Sequence, residues 1–198
     1  TIGFARRSAT YKRAQLLFYD LERLRQLGQK KIQIIYSGKA HPNDGEGKEL
    51  IREIVQKSHN LLGSIKVIYL ENYDMWLGRL ITSGVDVWLN TPLRPNEASG
   101  TSGMKATLNG VPNLSVLDGW WAEGCNHKVN GWAIGDPSNP DDEKDSDHLY
   151  HLLENQIIPM FYEDKEKWAA MMKEAIKTGV GFTAFRMISE YRNKYYKV

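Results

Sequence analysis

Residues 31–42 read KIQIIYSGKAHP. Ile32, Ile34, Ile35 and Tyr36 form a β-branched and aromatic run, which favours a strand. The run ends at Ser37-Gly38-Lys39, where small and polar residues make the chain turn. A strand apolar at consecutive positions is buried on both faces, as in a parallel sheet. Similar runs recur on both sides of it: Ile2–Ala5, Ile65–Leu70, Val85–Leu89 and Asn113–Leu117.

Helical patterns fill the gaps between these runs. Ser8 is positioned to cap a helix running to about Gln29, with Ala14, Leu17, Leu21 and Leu24 on one face. Ile51, Ile54, Val55 and Ser58 mark a second. Short helices are expected over Asp74–Ser83 and Gly103–Asn109. Strand and helix alternating in this way predict an α/β fold, a doubly wound, Rossmann-like parallel sheet covered on both faces. The expected core spans about residues 1–135. The acidic stretch 136–147, DPSNPDDEKDSD, reads as a solvated loop. A helical extension over about 145–198 completes one expected domain over 1–198. Its stripe of Trp168, Met171, Met172, Ala175 and Ile176 is expected to serve packing.

Composition narrows the function. A formal net charge of +2 on 198 residues argues against nucleic acid or an anionic membrane as partner. One cysteine, Cys125, cannot make an internal disulfide and fits a reducing, cytoplasmic setting. His41, His59, His127, His148 and His151 lack metal-ligand spacing, so no metal is expected. No apolar stretch approaches the length of a membrane span. The chain opens Thr1-Ile2-Gly3-Phe4-Ala5 without Met and is read as part of a longer protein.

Four segments that follow strands could carry chemistry, because ligands of such sheets bind beyond the carboxyl ends of the strands. Arg6-Arg7-Ser8-Ala9-Thr10-Tyr11-Lys12 offers three cations to an anion such as phosphate; on pattern alone a basic surface helix start is the slightly better reading. Ser37-Gly38-Lys39-Ala40-His41-Pro42 reads best as a structural turn. Glu97-Ala98-Ser99-Gly100-Thr101-Ser102-Gly103-Met104-Lys105 would bring backbone amides and a helix start to a phosphate. Lys105 would then stand one turn into that helix, partly buried near cations and nucleophilic towards an aldehyde; the alternative is a capped helix with Lys105 in solvent. In Asp118-Gly119-Trp120-Trp121 the indoles could stack on sugars or fill an interface, and at least one reads as structural.

The segment EASGTSGMKATLNG (97–110) resembles the pyridoxal-phosphate signature of the α-glucan phosphorylases. ARRSATYKR (5–13), SGKAHP (37–42), YLENYD (69–74), LDGWWAEG (117–124) and FRMISEY (185–191) resemble further blocks of that family, in the same order. Together they match its C-terminal domain, one of two domains of a retaining glycosyltransferase fold, and imply that an N-terminal domain is missing. The resemblance implies pyridoxal 5'-phosphate as cofactor, anchored by Lys105. Thr101, Ser102, Arg6 and Tyr73 would complete the cofactor site, the first two through backbone amides. Arg7 and Lys12 match the residues that bind the substrate phosphate and form, with Lys105, the expected catalytic set. Glu97, Ser99 and Gly100 match the loop that grips the transferred glucose. The implied partners are an α-1,4-glucan, inorganic phosphate and glucose 1-phosphate, with homo-oligomerisation left open. The fragment by itself is expected to be inactive.

Some positions depart from the family pattern. Arg6 stands where Lys is common, Ser102-Gly103 replaces a Gly-Asn pair, Asp74 stands where a basic residue is frequent, and Trp120-Trp121 replaces smaller polar residues. Two other readings compete. Nucleotide-sugar glycogen or starch synthases of the same two-domain fold place a second glutamate eight positions after the first, where this chain has Lys105. A non-catalytic phosphate- or sugar-binding module is the third.

Overall fold

The computed structural model describes residues 1–28 and 31–196. β1 (Ile2–Ala5) leads through 3-10 turns at Thr10–Lys12 and Leu16–Phe18 to α1 (Leu21–Gly28). Then come β2 (Gln33–Ser37), α2 (Gly45–Asn60), β3 (Lys66–Leu70), α3 (Met75–Gly84), β4 (Val87–Asn90), α4 (Thr101–Leu108) and β5 (Asn113–Val116). The chain closes with α5 (Trp121–Gly124), β6 (Gly131–Ile134), α6 (Asp142–Leu152), α7 (Ile158–Glu163), α8 (Lys165–Val180) and α9 (Ala184–Tyr191). A π-helical segment, Leu153–Ile157, joins α6 to α7.

Among the described residues the strands form one parallel sheet in the order β3-β2-β1-β4-β5-β6. Phe4 pairs with Tyr36, and Tyr36 with Tyr69, so the β1–β2–β3 side is in simple register. Side chains alternate between two cores, as the period of a strand requires. Phe4, Ile34, Tyr36, Leu89, Leu114 and Trp132 face one core together with α1, α6 and α8. Ala5, Ile35 and Trp88 face the other, with Ile81, Val85 and Ala106 from α3 and α4. The doubly wound α/β expectation therefore holds. The strand order reverses between β1 and β4, and the crevice beyond their carboxyl ends is where such sheets bind ligands.

Several local expectations fail. The helix from Ser8 does not form: Arg13 adopts a left-handed backbone, φ 46°, and breaks it. Leu16, Leu17 and Phe18 are buried in succession, which a one-faced surface helix cannot do. The proposed end at Gln29 lies outside the described residues. The 136–147 stretch is not a solvated loop throughout, because α6 starts at Asp142 and Asp145 is 2% exposed. On α2 the buried residues are Gly47, Leu50 and Ile54, so its core face is turned from Ile51, Val55 and Ser58. On α8 Trp168, Met171 and Ala175 pack inward, while Met172 and Ile176 stay on the rim. Asp74 caps α3, accepting from the Leu77 amide at 2.7 Å. β6 has only four residues and was not anticipated. Among the described residues no helix is long and apolar enough to cross a membrane.

Candidate active site

Arg6 follows β1 directly, and its loop is stapled to the loop after β2. The Arg6 amide donates to Ser37 O at 3.1 Å and the Ser8 amide to Lys39 O at 3.0 Å. A Cβ on Gly38 would sit 2.1 Å from Arg6 O, so only glycine permits this approach. Ser37-Gly38-Lys39 thus has the structural role expected of it. The site cations come from an irregular loop with one 3-10 turn, not from a helix start.

The centre of the site is a buried triad. Arg6 Nη2 donates to Glu97 Oε2 at 2.6 Å, and Lys12 Nζ donates to the same oxygen at 2.5 Å. All three side chains are at most 7% exposed. Burial alone would raise the Glu97 carboxyl pKa, but the charges and hydrogen bonds of Arg6 and Lys12 outweigh it and hold it below the ordinary range. Arg7 is exposed beside the triad. Lys12 Nζ also lies over the Tyr11 ring, 4.5 Å from its centroid, and burial, which works to raise the Tyr11 hydroxyl pKa, is outweighed by the Lys12 and Arg7 cations, which lower it. Arg6 Nη1 is buried without a hydrogen-bond partner. A buried guanidinium nitrogen without an acceptor is costly, and an incoming anion would satisfy it.

Across the crevice stands α4. Its N-cap, Gly100, has φ 86° and no side chain caps the helix. The Ser102 Oγ is buried and also lacks a partner. Glu97 is held in place when its amide donates to Asp118 Oδ2 at 2.8 Å, and Ser99 O accepts from the Trp120 amide at 2.8 Å. Tyr73 is half-buried, which raises its hydroxyl pKa, and the nearby charge of Arg6 opposes the shift. Of the two readings left open for Lys105, the structure matches the exposed one and not the partly buried one. Lys105 lines a cleft of about 660 Å³ between α4 and α9, with Met104, Phe182, Met187 and Tyr191. Arg186 lines the same cleft, while Arg6 and Lys12 lie in the triad, on the β1 side.

The double tryptophan divides its work. Trp121 is fully buried and its Nε1 donates to Trp132 O at 3.2 Å, a packing role. Trp120 packs on Phe182 at 5.0 Å and lies against the α4 start. A Cβ on Gly103 would meet Asn113 Oδ1 at 2.6 Å and Trp120 Nε1 at 2.8 Å. Gly103 and the Trp120 indole are therefore matched sterically: the ring fills space that a side chain at 103 would need. Gly103→Ala is expected to lower the unfolding free energy by about 1–3 kcal/mol through overpacking, read by urea denaturation.

Sequence reading missed Thr91, Arg13 and Asp145, which are buried and brace the cations; it named Asp118 in a candidate segment but not for the bond that holds Glu97. The Asp118 bond to the Glu97 amide joins two separate loops, which spacing along the chain does not show. Arg13 and Asp145 lay in segments read as a helix face and a loop, where nothing set them apart.

The model of the carbohydrate phosphorylase family matches residues 6–127. The chain is 53% identical to the maltodextrin phosphorylase of Thermococcus litoralis over 98% of its length, and 24% of that protein. It is 48% identical to the glycogen phosphorylase of Aquifex aeolicus over 99% of its length, and 30% of that protein. With the glycogen phosphorylase of Mycobacterium tuberculosis the identity is 44%, over 99% of this chain and 24% of the other. The chain thus spans about a quarter to a third of the length of these relatives. Both measures agree with the residues gathered at the switch point, and the chain belongs to the carbohydrate phosphorylase family.

Proposed function

We propose that this chain is the cofactor- and phosphate-binding part of a pyridoxal 5'-phosphate-dependent α-1,4-glucan phosphorylase. The observation that carries the reading is the buried anion cradle: Arg6 and Lys12 already share a carboxylate, and Arg6 Nη1 and Ser102 Oγ lack partners. These residues fit a phosphate group. Thr101 and Ser102 would hold the cofactor phosphate through backbone amides at the start of α4, with Arg6 opposite and Tyr73 beside the ring. Lys105, in this view, anchors the cofactor. When bound, pyridoxal phosphate supplies a second phosphate group for acid–base exchange with the substrate phosphate.

The chain's own residues then orient and neutralise. Arg7 and Lys12 bind inorganic phosphate, and Arg7 is exposed to receive it. Glu97, Ser99 and Gly100 grip the hydroxyls of the terminal glucose. Phosphate gives a proton to the departing glucan oxygen and an oxygen to the anomeric carbon, releasing glucose 1-phosphate with retention. The clustered cations stabilise the charge that develops on this path.

In the same reading the 198 residues alone are inactive, because an N-terminal domain must close the crevice and supply the rest of the site. The relatives' greater length supports this. We place the enzyme in the cytoplasm, in keeping with its single cysteine, Cys125, which cannot form an internal disulfide.

Glucose 1-phosphate release from maltodextrin and inorganic phosphate tests the proposal. The full-length protein is expected to release it and the isolated chain is not. Glucosyl transfer from a nucleotide sugar, with no dependence on phosphate, would overturn the assignment in favour of the synthase reading.

A further inference from the structure

Lys12 owes its place to its neighbours more than to its own turn. The Leu93 amide donates to Tyr11 O at 2.6 Å. The Thr91 hydroxyl lies 2.9 Å from Lys12 O and 3.0 Å from Arg13 O. Three successive carbonyls around Lys12 are thus held by residues 91–93. Those residues are held in turn by Arg13, whose Nε donates to Thr91 O at 2.9 Å and whose Nη2 donates to Pro92 O at 3.1 Å. The Arg13 backbone is left-handed, a conformation that a non-glycine residue keeps only where its surroundings enforce it.

What enforces it comes from the far end of the chain. Asp145, on α6, pairs with Arg13 Nη2 at 2.7 Å, with both side chains at most 4% exposed. Asp142 also reaches Arg13, at 2.8 Å, but is half exposed and adds little. A Cβ on Gly135, φ 71°, would fall 1.9 Å from Asp145 Oδ1, so glycine is required there for Asp145 to enter. A buried ion pair is a poor way to gain stability compared with apolar packing. One set beside the cation cradle, with a glycine cleared for it, has another use.

We propose that Asp145 is a positioning residue for the phosphate site: through Arg13 it locks residues 91–93 around the Tyr11-Lys12-Arg13 turn and sets Lys12 Nζ beside Arg6 before an anion arrives. The inference rests on the reading of Lys12 as a phosphate-binding cation.

Calorimetric titration of inorganic phosphate into the 198-residue chain tests it, with thermal unfolding measured alongside. Asp145→Asn removes the charge. The pair Arg13→Met and Asp145→Leu removes the ion pair together with the Arg13 bonds to Thr91 O and Pro92 O, so it breaks the whole clamp. Both variants are expected to bind phosphate about tenfold or more weakly, since displacing a binding group by an ångström is enough. In the full-length enzyme the KM for phosphate is expected to rise while that for glucan holds. Wild-type affinity in a folded Asp145→Asn or paired variant would make Asp145 merely structural, and the proposed function would stand. Failure of the wild-type chain itself to bind phosphate would remove the reading of Lys12 and this inference together. Should the paired variant not fold, Asp145→Asn decides.

Discussion

Lys105→Arg is expected to carry no pyridoxal label after incubation with pyridoxal phosphate and borohydride reduction, while the parent chain carries it on the peptide containing Lys105. Lys105 is exposed, so reagent reaches it freely. Many surface lysines share that exposure, and selectivity must come from the phosphate end of the reagent. Thr101 and Lys105 are four residues apart on α4 and lie on one face. A phosphate drawn to the uncapped start of that helix, with Arg6 Nη1 and Ser102 Oγ to satisfy, would hold its aldehyde within reach of Lys105. Arginine keeps the positive charge but cannot join the aldehyde as an amine does. Loss of that link is expected to weaken cofactor retention on the order of a hundredfold, about 3 kcal/mol. Peptide mapping after gel filtration reads both effects. Equal labelling of the two proteins, or label spread over surface lysines, would remove Lys105 from the anchor role.

The parts of the molecule that the sequence revealed are those where one physical rule dominates. Strands β1 to β5 announce themselves because residues such as Ile34, Ile35 and Tyr36 must be apolar on both faces. The loops after them follow from the geometry of parallel sheets, and so does the meeting of Arg6, Lys12 and Glu97; Lys105 lines a different cleft, between α4 and α9. The failures share another cause, which is long-range partnership. Ala14, Leu17, Leu21 and Leu24 keep helical spacing, yet Arg13 leaves the helix because Thr91, Pro92 and Asp145 claim its side chain. Asp145 reads as one acid among many in 136–147, and nothing local sets it apart from exposed Asp147. The pairing of Glu97 with Arg6 and Lys12 spans 91 and 85 residues, beyond any pattern of spacing. The exposure of Lys105 likewise depends on how α9 and the 181–183 turn sit beside α4.

The Arg6–Glu97–Lys12 triad yields the other large effect. Glu97→Ala leaves two buried cations facing each other without a counter-charge. Breaking a buried pair by removing one partner costs about 3–5 kcal/mol, so the variant should unfold at markedly lower urea concentration. Inorganic phosphate should restore more stability to the variant than it adds to the parent chain. In the parent, phosphate must displace the Glu97 carboxylate from Lys12 and Arg6; in the variant that place is open, and a ligand that binds only the folded state stabilises it in proportion to its affinity. The pH dependence follows from the same contacts. Arg6 and Lys12 hold the Glu97 carboxyl below its ordinary range despite its burial. Its contribution to stability is therefore complete above the unfolded-state glutamate pKa, about 4.3, and is lost as pH falls through the lower folded value. Glu97→Gln removes that titration, so the difference in stability between parent and variant should shrink as the solution is acidified through this window. Urea titrations at several acidic pH values, with and without phosphate, measure both effects. A difference that stays constant with pH would show that Glu97 is not the ionised partner of the two cations, and equal phosphate stabilisation of both proteins would show that the anion binds elsewhere.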